Sequence, residues 1–263
     1  MASLAAIQEV EYNDIKAAAF TDPALKPQSI AEIDVPPAIL EDLALKTLYM
    51  AGSISLLELS SKMQISYEVT HELFCKLRSE LYCQVKGMEC NVPRICLTSS
   101  GRSRAADLLT QSHYLGAAPV SLESYVRQVR KQSVQNVNVN AADLARAFGH
   151  LVLDSETLRQ LGTALNSGSA LFLYGPPGVG KTTIAEAISR VLAEDGVWIP
   201  HAVEVDGQII SVYDASIHSA IPISEYGNHD PRWVPCHRPA VLVGGELTAE
   251  MLDLQFNLSL IHI

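Results

Sequence analysis

The feature that most constrains the fold of this chain is the run Gly175-Pro176-Pro177-Gly178-Val179-Gly180-Lys181-Thr182. A continuous apolar run, residues 170–174, comes directly before it, and helical spacing predicts a helix over residues 182–193. Strand, glycine-rich loop and helix in that order are typical of phosphate-binding loops. The order predicts an α/β fold in which residues 170–174 form a parallel strand buried on both faces.

The residue types of this loop suit a bound polyphosphate. Gly175, Gly178 and Gly180 permit backbone angles that a side chain forbids, so the amides of residues 178–183 can point inward. The positive end of the following helix dipole adds to the attraction for phosphate. A glycine-rich turn that precedes a helix by chance is the alternative, and it would not reproduce the whole motif in this context.

The polar residues of the loop have predicted roles. Lys181 is the predicted catalytic cation, which contacts the β- and γ-phosphates, and the Thr182 hydroxyl is the predicted ligand of Mg²⁺. The predicted nucleotide-binding residues are Gly175, Pro176, Pro177, Gly178, Val179, Gly180, Lys181, Thr182 and Thr183.

The double proline of the loop shows which class of phosphate-binding loop it resembles. Gly-Pro-Pro-Gly-x-Gly-Lys-Thr resembles the loop of AAA+ proteins rather than that of kinases or GTPases. Residues 119–257 are similar to a bacterial group of predicted AAA+ ATPases, described as having chaperone activity and associated with Flp pilus assembly. The phrases that carry this similarity are Leu-Phe-Leu-Tyr-Gly, Ile-Pro-His-Ala-Val-Glu-Val-Asp-Gly-Gln-Ile-Ile and His-Asp-Pro-Arg-Trp-Val-Pro-Cys-His-Arg-Pro-Ala-Val-Leu-Val-Gly-Gly-Glu-Leu-Thr.

The resemblance implies a P-loop AAA+ domain behind an N-terminal extension, with ATP and Mg²⁺ as cofactors and a homo-oligomeric ring as the assembly. It also implies that adenine packs against the segment that enters the domain. Here that segment contains His150, Leu151 and Val152, just before a helix capped by Asp154. A plain buried strand is an equally compatible interpretation of the segment.

The resemblance further implies a Walker B strand, four apolar residues followed by acids. The best candidate, residues 240–243, is followed by Gly244-Gly245-Glu246, so glycines stand where the metal-organising acid belongs. We therefore expect the chain to be truncated before Walker B, with an incomplete AAA+ domain that binds ATP without hydrolysing it. Residues 258–263 are predicted to be a non-native tail.

Hydrophobic patterning predicts several zones along the chain. Residues 1–35 form an acidic arm, with six acidic and two basic residues and a helix-like stretch over residues 4–20. Residues 36–116 form an α+β module, 117–147 a linker, and 148–257 the N-terminal part of the AAA+ domain. A polar, alternating run at residues 134–140 supports the linker assignment.

The α+β module resembles a winged helix-turn-helix. Three helices are predicted, beginning at Pro36-Pro37 and ending with an apolar stripe at Val69, Leu73, Leu77 and Leu81. A two-stranded hairpin and a final helix follow. The module has eight basic and eight acidic residues, and its third helix carries Glu68, Glu72 and Glu80 against Lys76 and Arg78. A phosphate backbone repels such a face, so the module is predicted to dock protein rather than DNA.

Composition limits the remaining classes. The chain is 48% hydrophobic and 18% charged with a net charge of −10, which favours a packed core and argues against a protein that coats nucleic acid. Its five cysteines match no Cys-x-x-Cys spacing. No apolar run approaches the roughly 20 residues that span a bilayer. We predict a cytoplasmic protein with reduced thiols and no membrane insertion.

Two further groups of residues are weaker candidates. Asp206 and Asp214 follow apolar runs, where an acid either faces the nucleotide or is solvated in a loop. His229, Asp230, Cys236 and His237 lie close in sequence, but they have no recognised metal-ligand spacing, and neighbouring prolines favour a stiff loop.

The predicted function is an AAA+ ATPase that couples ATP hydrolysis to remodelling of a protein partner. The alternative is an ATP-dependent transcriptional regulator that uses the winged-helix-like module on DNA. A third interpretation is an ATP-binding switch that never hydrolyses its nucleotide.

Overall fold

The structure, a computed structural model, describes residues 25–89, 92–193, 196–222 and 229–239. Contacts between residues divide the described chain into two units. The N-terminal unit contains the described residues of 25–131 and 198–236. The P-loop unit contains the described residues of 132–197 and 237–239.

The N-terminal unit begins with a short 3-10 helix, Ile30–Glu32. Helices and strands then follow as α1 (Pro37–Ala51), β1 (Ser53–Ser55), α2 (Leu56–Met63), α3 (Tyr67–Ser79), β2 (Cys83–Glu89), β3 (Val92–Leu97), α4 (Ser99–Gln111), β4 (Val120–Ser121) and α5 (Leu122–Lys131). Four strands come later in the chain: β5 (Gly196–Pro200), β6 (Ala202–Val205), β7 (Gln208–Ser211) and β8 (Trp233–His237). The first two residues of β5 and the last residue of β8 are counted with the P-loop unit.

Local signals set the helix ends of this unit. Pro37 occupies the first turn of α1, and Gly52 ends that helix with a φ of 74°. Ser55 begins α2 through a reciprocal pair of hydrogen bonds with Glu58, and the Ser66 hydroxyl accepts from the Val69 amide at the start of α3. These caps hold the apolar faces of the three helices toward one core.

Three small sheets complete the described strands. The first has the order β1-β3-β2 and is antiparallel, with Ile54 opposite Ile95. In the second, of order β4-β6-β7, β4 pairs with β6 in parallel and β6 with β7 antiparallel. Strands β5 and β8 form the third sheet.

A buried ion cluster, the Arg232 cluster, joins three distant segments of the N-terminal unit. The guanidinium of Arg232 donates to Asp34 at 2.9 Å, to Asp230 at 2.7 Å and to the Pro119 carbonyl at 2.9 Å. Asp34 also accepts from the amide and hydroxyl of Ser121, at 3.0 and 2.7 Å. Each of the three guanidinium nitrogens thus donates to at least one oxygen, which lowers the cost of burying the charge.

The described part of the P-loop unit contains a short 3-10 helix, Val134–Asn136, and three α-helices: α6 (Ala141–Phe148), α7 (Ser155–Asn166) and α8 (Lys181–Ala193). Its core is apolar and is made of Val139, Leu144, Phe148, Leu161, Leu165, Ala187 and Val191. The Asn166 side chain accepts from the amide of Val139 at 2.8 Å and donates to the carbonyl of the same residue at 2.9 Å. The polar run before α6 is therefore anchored to the end of α7.

The predicted strand at residues 170–174 is wrong for the described chain. These residues form no strand with any described residue, and Phe172 and Tyr174 are 85% and 84% exposed, with their rings stacked at 6.1 Å. Only Leu173 packs against the core. The reason is a missing neighbour: β6, the described apolar run that could have paired here, pairs with β4 and β7 instead.

The two units also divide the chain differently from the predicted zones. Residues 120–131, predicted to be linker, form β4 and α5. Residues 198–236, predicted to belong to the AAA+ domain, contribute to the N-terminal unit because β6 pairs with β4. At the end of the predicted arm, Ile30, Ile33 and Val35 are buried in the core of that unit.

The predicted apolar stripe of the third helix is one residue too long. Val69, Leu73 and Leu77 are buried as expected. Helix α3 ends at Ser79, however, and Leu81 lies beyond it, exposed and with a φ of 62°. The predicted arm helix, the run at residues 240–243 and the tail at 258–263 lie outside the described residues.

Within the described part of the chain, no helix is both long and apolar enough to cross a bilayer. The four cysteines that the structure describes, Cys75, Cys83, Cys96 and Cys236, are free thiols. Burial raises the pKa of Cys83 to about 12 and that of Cys236 to about 11, so both remain protonated near neutral pH.

Candidate functional site

The glycine-rich loop has the backbone that a phosphate cradle requires. Gly175, Gly178 and Gly180 have φ angles of 148°, 83° and 81°, a region that side chains rarely enter. A Cβ atom added at Gly178 or Gly180 would meet no atom within 4 Å. These two glycines are therefore required by the conformation of the backbone and not by lack of space.

The Lys181 ammonium group lies at the loop that precedes it. It donates to the carbonyl of Gly175 at 3.0 Å and to that of Pro176 at 2.8 Å. The side chain thus folds back over the loop instead of extending into solvent. This position places a cation beside the backbone of the glycine-rich loop.

Helix α8 begins at the loop itself. Its first residue is Lys181, and the Ile184 amide donates to the Gly180 carbonyl at 2.9 Å. Thr182 is exposed and Thr183 is half-buried in this first turn. The buried side chains of Ala187 and Val191 fix the helix to the core, so its positive end is held at the loop.

The loop fits a bound ATP and Mg²⁺ on these observations. The three positive-φ glycines have no side chains that would hinder a close approach of phosphate, and Lys181 supplies a cation. The exposed Thr182 hydroxyl is of the type that ligates Mg²⁺ in such loops.

The predicted adenine segment lies beside α8. The His150 imidazole Nε2 and the Arg190 guanidinium of α8 are 3.3 Å apart. Leu151 packs against the core that α8 shares, whereas Val152 is fully exposed. Residues 150–152 form no strand, so the alternative interpretation of a plain buried strand does not hold.

The contact that Arg190 makes beside the predicted adenine segment was not predicted from the sequence. It lies nine residues after Lys181, in the last turn of α8, and an exposed arginine there looks like ordinary helix solvation. The signal that could have identified it is its position on the helix that begins at the loop. Its contact with His150 depends on a non-local approach that spacing does not predict.

The two weaker acid candidates have local roles. Asp206 and Gly207 form the tight turn between β6 and β7, with φ angles of 49° and 81°. Asp214 accepts from the amide and hydroxyl of Ser216, at 2.8 and 2.6 Å. The solvated-loop interpretation of both acids agrees with these contacts.

The described residues contain no group of three or more His, Cys, Asp or Glu side chains that could hold a metal ion. Asp230 binds Arg232, and the His229 ring lies against Trp198 with centroids 5.2 Å apart. The stiff-loop interpretation is wrong for residues 233–237, because these residues form strand β8, in which Trp233 and Cys236 are buried.

Comparison with known proteins agrees with the AAA+ resemblance of the segment that contains the glycine-rich loop. Residues 171–218, which contain the loop and α8, match the family described as ATPase family associated with various cellular activities (AAA). The chain is also 30% identical over 112 residues to Lon protease of Campylobacter concisus (strain 13826). That similarity covers 35% of this chain and 14% of the protease, so the chain spans a small part of its relative.

The loop geometry and the comparisons together support an ATPase segment of the AAA+ type. The mixed α/β architecture of the described residues, which includes the parallel pair β4–β6, fits a P-loop fold of this class. The association with Flp pilus assembly, the finer group within the class and the roles of single residues stay predictions.

Proposed function

We propose that the protein is an AAA+ ATPase that couples ATP binding and hydrolysis to remodelling of a protein partner. The observation that carries the proposal is the loop, in which three positive-φ glycines, Lys181 and the start of α8 come together. The similarity to a Lon protease supports action on proteins in general.

Different residues of the site would contact different parts of the nucleotide. The backbone amides after Gly178 would surround the phosphates, and Lys181 would exchange its two carbonyl partners for phosphate oxygens. Thr182 would hold Mg²⁺, which neutralises charge on the phosphates. His150, positioned by Arg190, and Leu151 would contact the adenine.

The N-terminal unit would recognise the partner through its winged-helix-like part. The order β1-β3-β2, with three helices before the hairpin, supports that comparison. Two charged residues of α3 are already used within the chain: Glu72 accepts from the Ile30 amide at 2.8 Å, and Lys76 pairs with Glu41. Because these charges of α3 already bind residues of the same unit, they favour protein docking or domain packing over DNA binding.

The remaining features are proposed from resemblance. The protein would act in the cytoplasm as a homo-oligomeric ring, and its process would be linked to Flp pilus assembly. The partner would be a protein rather than a nucleic acid or a membrane.

The test of the proposal is ATP binding by the Lys181→Ala variant. Charge-assisted hydrogen bonds contribute on the order of 2–3 kcal/mol, so its loss should weaken ATP affinity by roughly 30- to 150-fold. Fluorescent-ATP titration measures this in the full chain. Lys62→Ala, which removes an exposed lysine from α2, is the matched control and should bind as the parent does. Equal affinity of the parent and the Lys181→Ala variant would contradict the proposal.

A further inference from the structure

Two side chains on the outer face of α3 carry atoms of the kind that bind soft metal ions. His71 and Cys75 are four residues apart in this helix, and both are exposed. Residues at that spacing are neighbours on one face of a helix. The Nδ1 atom of His71 and the Sγ atom of Cys75 are accordingly 3.9 Å apart. The two side chains belong to the N-terminal unit and not to the glycine-rich loop.

Helix α3 gives this pair a rigid support. Val69, Leu73 and Leu77 are buried on the opposite side of the helix and fix it to the core. The imidazole ring of His71 also lies against the ring of Tyr67, one turn earlier, with centroids 6.3 Å apart. Ligand atoms on an anchored helix keep their spacing better than ligand atoms on a loop.

The spacing of the two atoms suits a single zinc ion. Bonds of about 2.3 Å to sulfur and about 2.0–2.1 Å to nitrogen, at the tetrahedral angle, place the two ligand atoms about 3.6 Å apart. The observed distance of 3.9 Å is close to this value, and a small rotation of either exposed side chain closes the difference. Thiolate and imidazole are ligands that zinc prefers, whereas Mg²⁺ prefers oxygen.

Both ligand atoms are available to an ion. Within the described part of the chain, neither His71 nor Cys75 has a polar contact besides the one that joins them. Cys83, Cys96 and Cys236, the other described thiols, are buried and cannot offer sulfur to an ion in solvent. The pair on α3 therefore combines exposure, spacing and ligand type.

We propose that His71 and Cys75 form a zinc-binding site on the outer face of α3. The Cys75 thiol would release its proton to solvent as the bond between Sγ and zinc forms, and Nδ1 of neutral His71 would supply the second bond. Water would fill the remaining positions, because the described residues contain no group of three such side chains that could hold a metal ion. The site does not depend on nucleotide and lies outside the proposed function.

Protection of Cys75 from iodoacetamide by Zn²⁺ tests the site in the full chain. The free thiolate is the form that reacts, so saturating Zn²⁺ should slow alkylation of Cys75 by roughly tenfold or more. Trypsin cleaves after Lys62 and Lys76, and the peptide of residues 63–76 contains no other cysteine, so mass spectrometry reads this thiol alone. Mg²⁺ at the same concentration should give no protection, because it binds neither thiolate nor imidazole well.

The His71→Ala variant separates a two-ligand site from a thiol that binds metal by itself. It leaves Cys75 exposed, and the Zn²⁺ concentration for half-maximal protection should rise by about tenfold or more. His113→Ala, which removes an exposed imidazole beyond the end of α4, is the matched control and should be protected as the parent is. Lys181→Ala should also be protected, which separates this site from nucleotide binding.

Each alkylation rate is compared with the zinc-free rate of the same variant, so a change in the intrinsic reactivity of Cys75 cancels. Absence of protection in the parent at about 100 µM Zn²⁺ would overturn the proposal. Equal protection by Mg²⁺, or unchanged protection in His71→Ala, would overturn it as well.

Discussion

Much of the support for nucleotide binding comes from the backbone conformation of single residues. Gly180 has a φ of 81°, and an added Cβ would meet no neighbour. An L-residue held at such an angle costs roughly 1–2 kcal/mol. Because the loop is exposed, an alanine there can relax in the free protein and must be strained again when phosphate binds.

We therefore expect Gly180→Ala to weaken ATP affinity by roughly 5- to 30-fold, the equivalent of that strain. Isothermal titration with ATP and Mg²⁺ measures the change. Gly87→Ala is the control, because Gly87 lies in β2 outside the positive-φ region and has open space around it. Unchanged affinity of Gly180→Ala would show that the bound loop does not need this angle.

Leu81 is a residue whose replacement should stabilise the protein. It follows α3 in a left-handed conformation, with its amide donating to the Arg78 carbonyl at 3.0 Å and its side chain exposed. This is the helix-end position that favours glycine. Leu81→Gly should raise the free energy of unfolding by about 0.5–1 kcal/mol, since relief of strain exceeds the added chain entropy.

Urea unfolding of the Leu81→Gly variant measures that gain. Leu57→Gly provides the contrast, because Leu57 is also an exposed leucine but lies in the first turn of α2. Glycine has a lower helix propensity than leucine, so this variant should be destabilised. A lower midpoint for Leu81→Gly would contradict the prediction.

At the scale of elements, α3 decides between protein and DNA as the partner of the N-terminal unit. Its two basic residues are matched by two acidic ones, and Glu72 and Lys76 are engaged by the Ile30 amide and by Glu41. A duplex laid along this helix would have to displace both contacts and approach like charge. We expect the full chain to show no sub-micromolar binding to duplex DNA at physiological salt.

A mobility-shift assay at two salt concentrations tests this expectation. Glu68→Lys, which makes the exposed face of α3 more basic, indicates whether charge alone prevents binding. Tight binding by the parent with a steep dependence on salt would favour the transcriptional-regulator interpretation instead.

Elements with local signals were predictable from the sequence, and elements that need distant partners were not. Pro37 and Gly52 mark the ends of α1, and the glycine loop marks the start of α8, so both helices lie where the pattern predicts them. Residues 170–174 have the composition of a strand, but a strand exists only where another chain segment pairs with it. Strands β4 and β6 are more than eighty residues apart in the chain, and the residues of neither strand indicate that the two pair.

The candidate site shows the same division. The loop residues were predictable because the backbone conformation is encoded by their own glycines. The contact between His150 and Arg190 joins residues 40 positions apart and depends on how α6 and α8 pack.

At the scale of the whole molecule, the Arg232 cluster should make stability depend on acid. Burial opposes ionisation of Asp34, but the charge of Arg232 and hydrogen bonds from Ser124 and Ser121 outweigh it and lower the pKa of Asp34 to about 2. A pKa that is lower in the folded than in the unfolded state stabilises the fold above the unfolded value, near 3.9. That stabilisation is lost as the pH falls from about 4 to about 2.

We expect about 1–2 kcal/mol of unfolding free energy to be lost over that window through Asp34, after allowance for its partial exposure. Chemical denaturation at a series of pH values measures the loss. Asp34→Asn should be less stable at pH 6 and should have a flatter profile below pH 4, whereas Asp107→Asn on the surface of α4 should follow the parent. A parent-like profile for Asp34→Asn would show that the cluster does not carry this dependence.

The Arg232 cluster also sets an order of events during synthesis. Asp34 and Arg232 are 198 positions apart, and the entire P-loop segment is translated between them. A ribosome adds roughly 5–20 residues per second, so Arg232 is added to the chain roughly 10–40 s after Asp34. Until then the nascent N-terminal unit lacks the guanidinium that its acid requires, and for most of that time it also lacks β6 and β7. Nascent chains halted before residue 232 should consequently be more sensitive to protease between residues 25 and 131 than chains halted after residue 239.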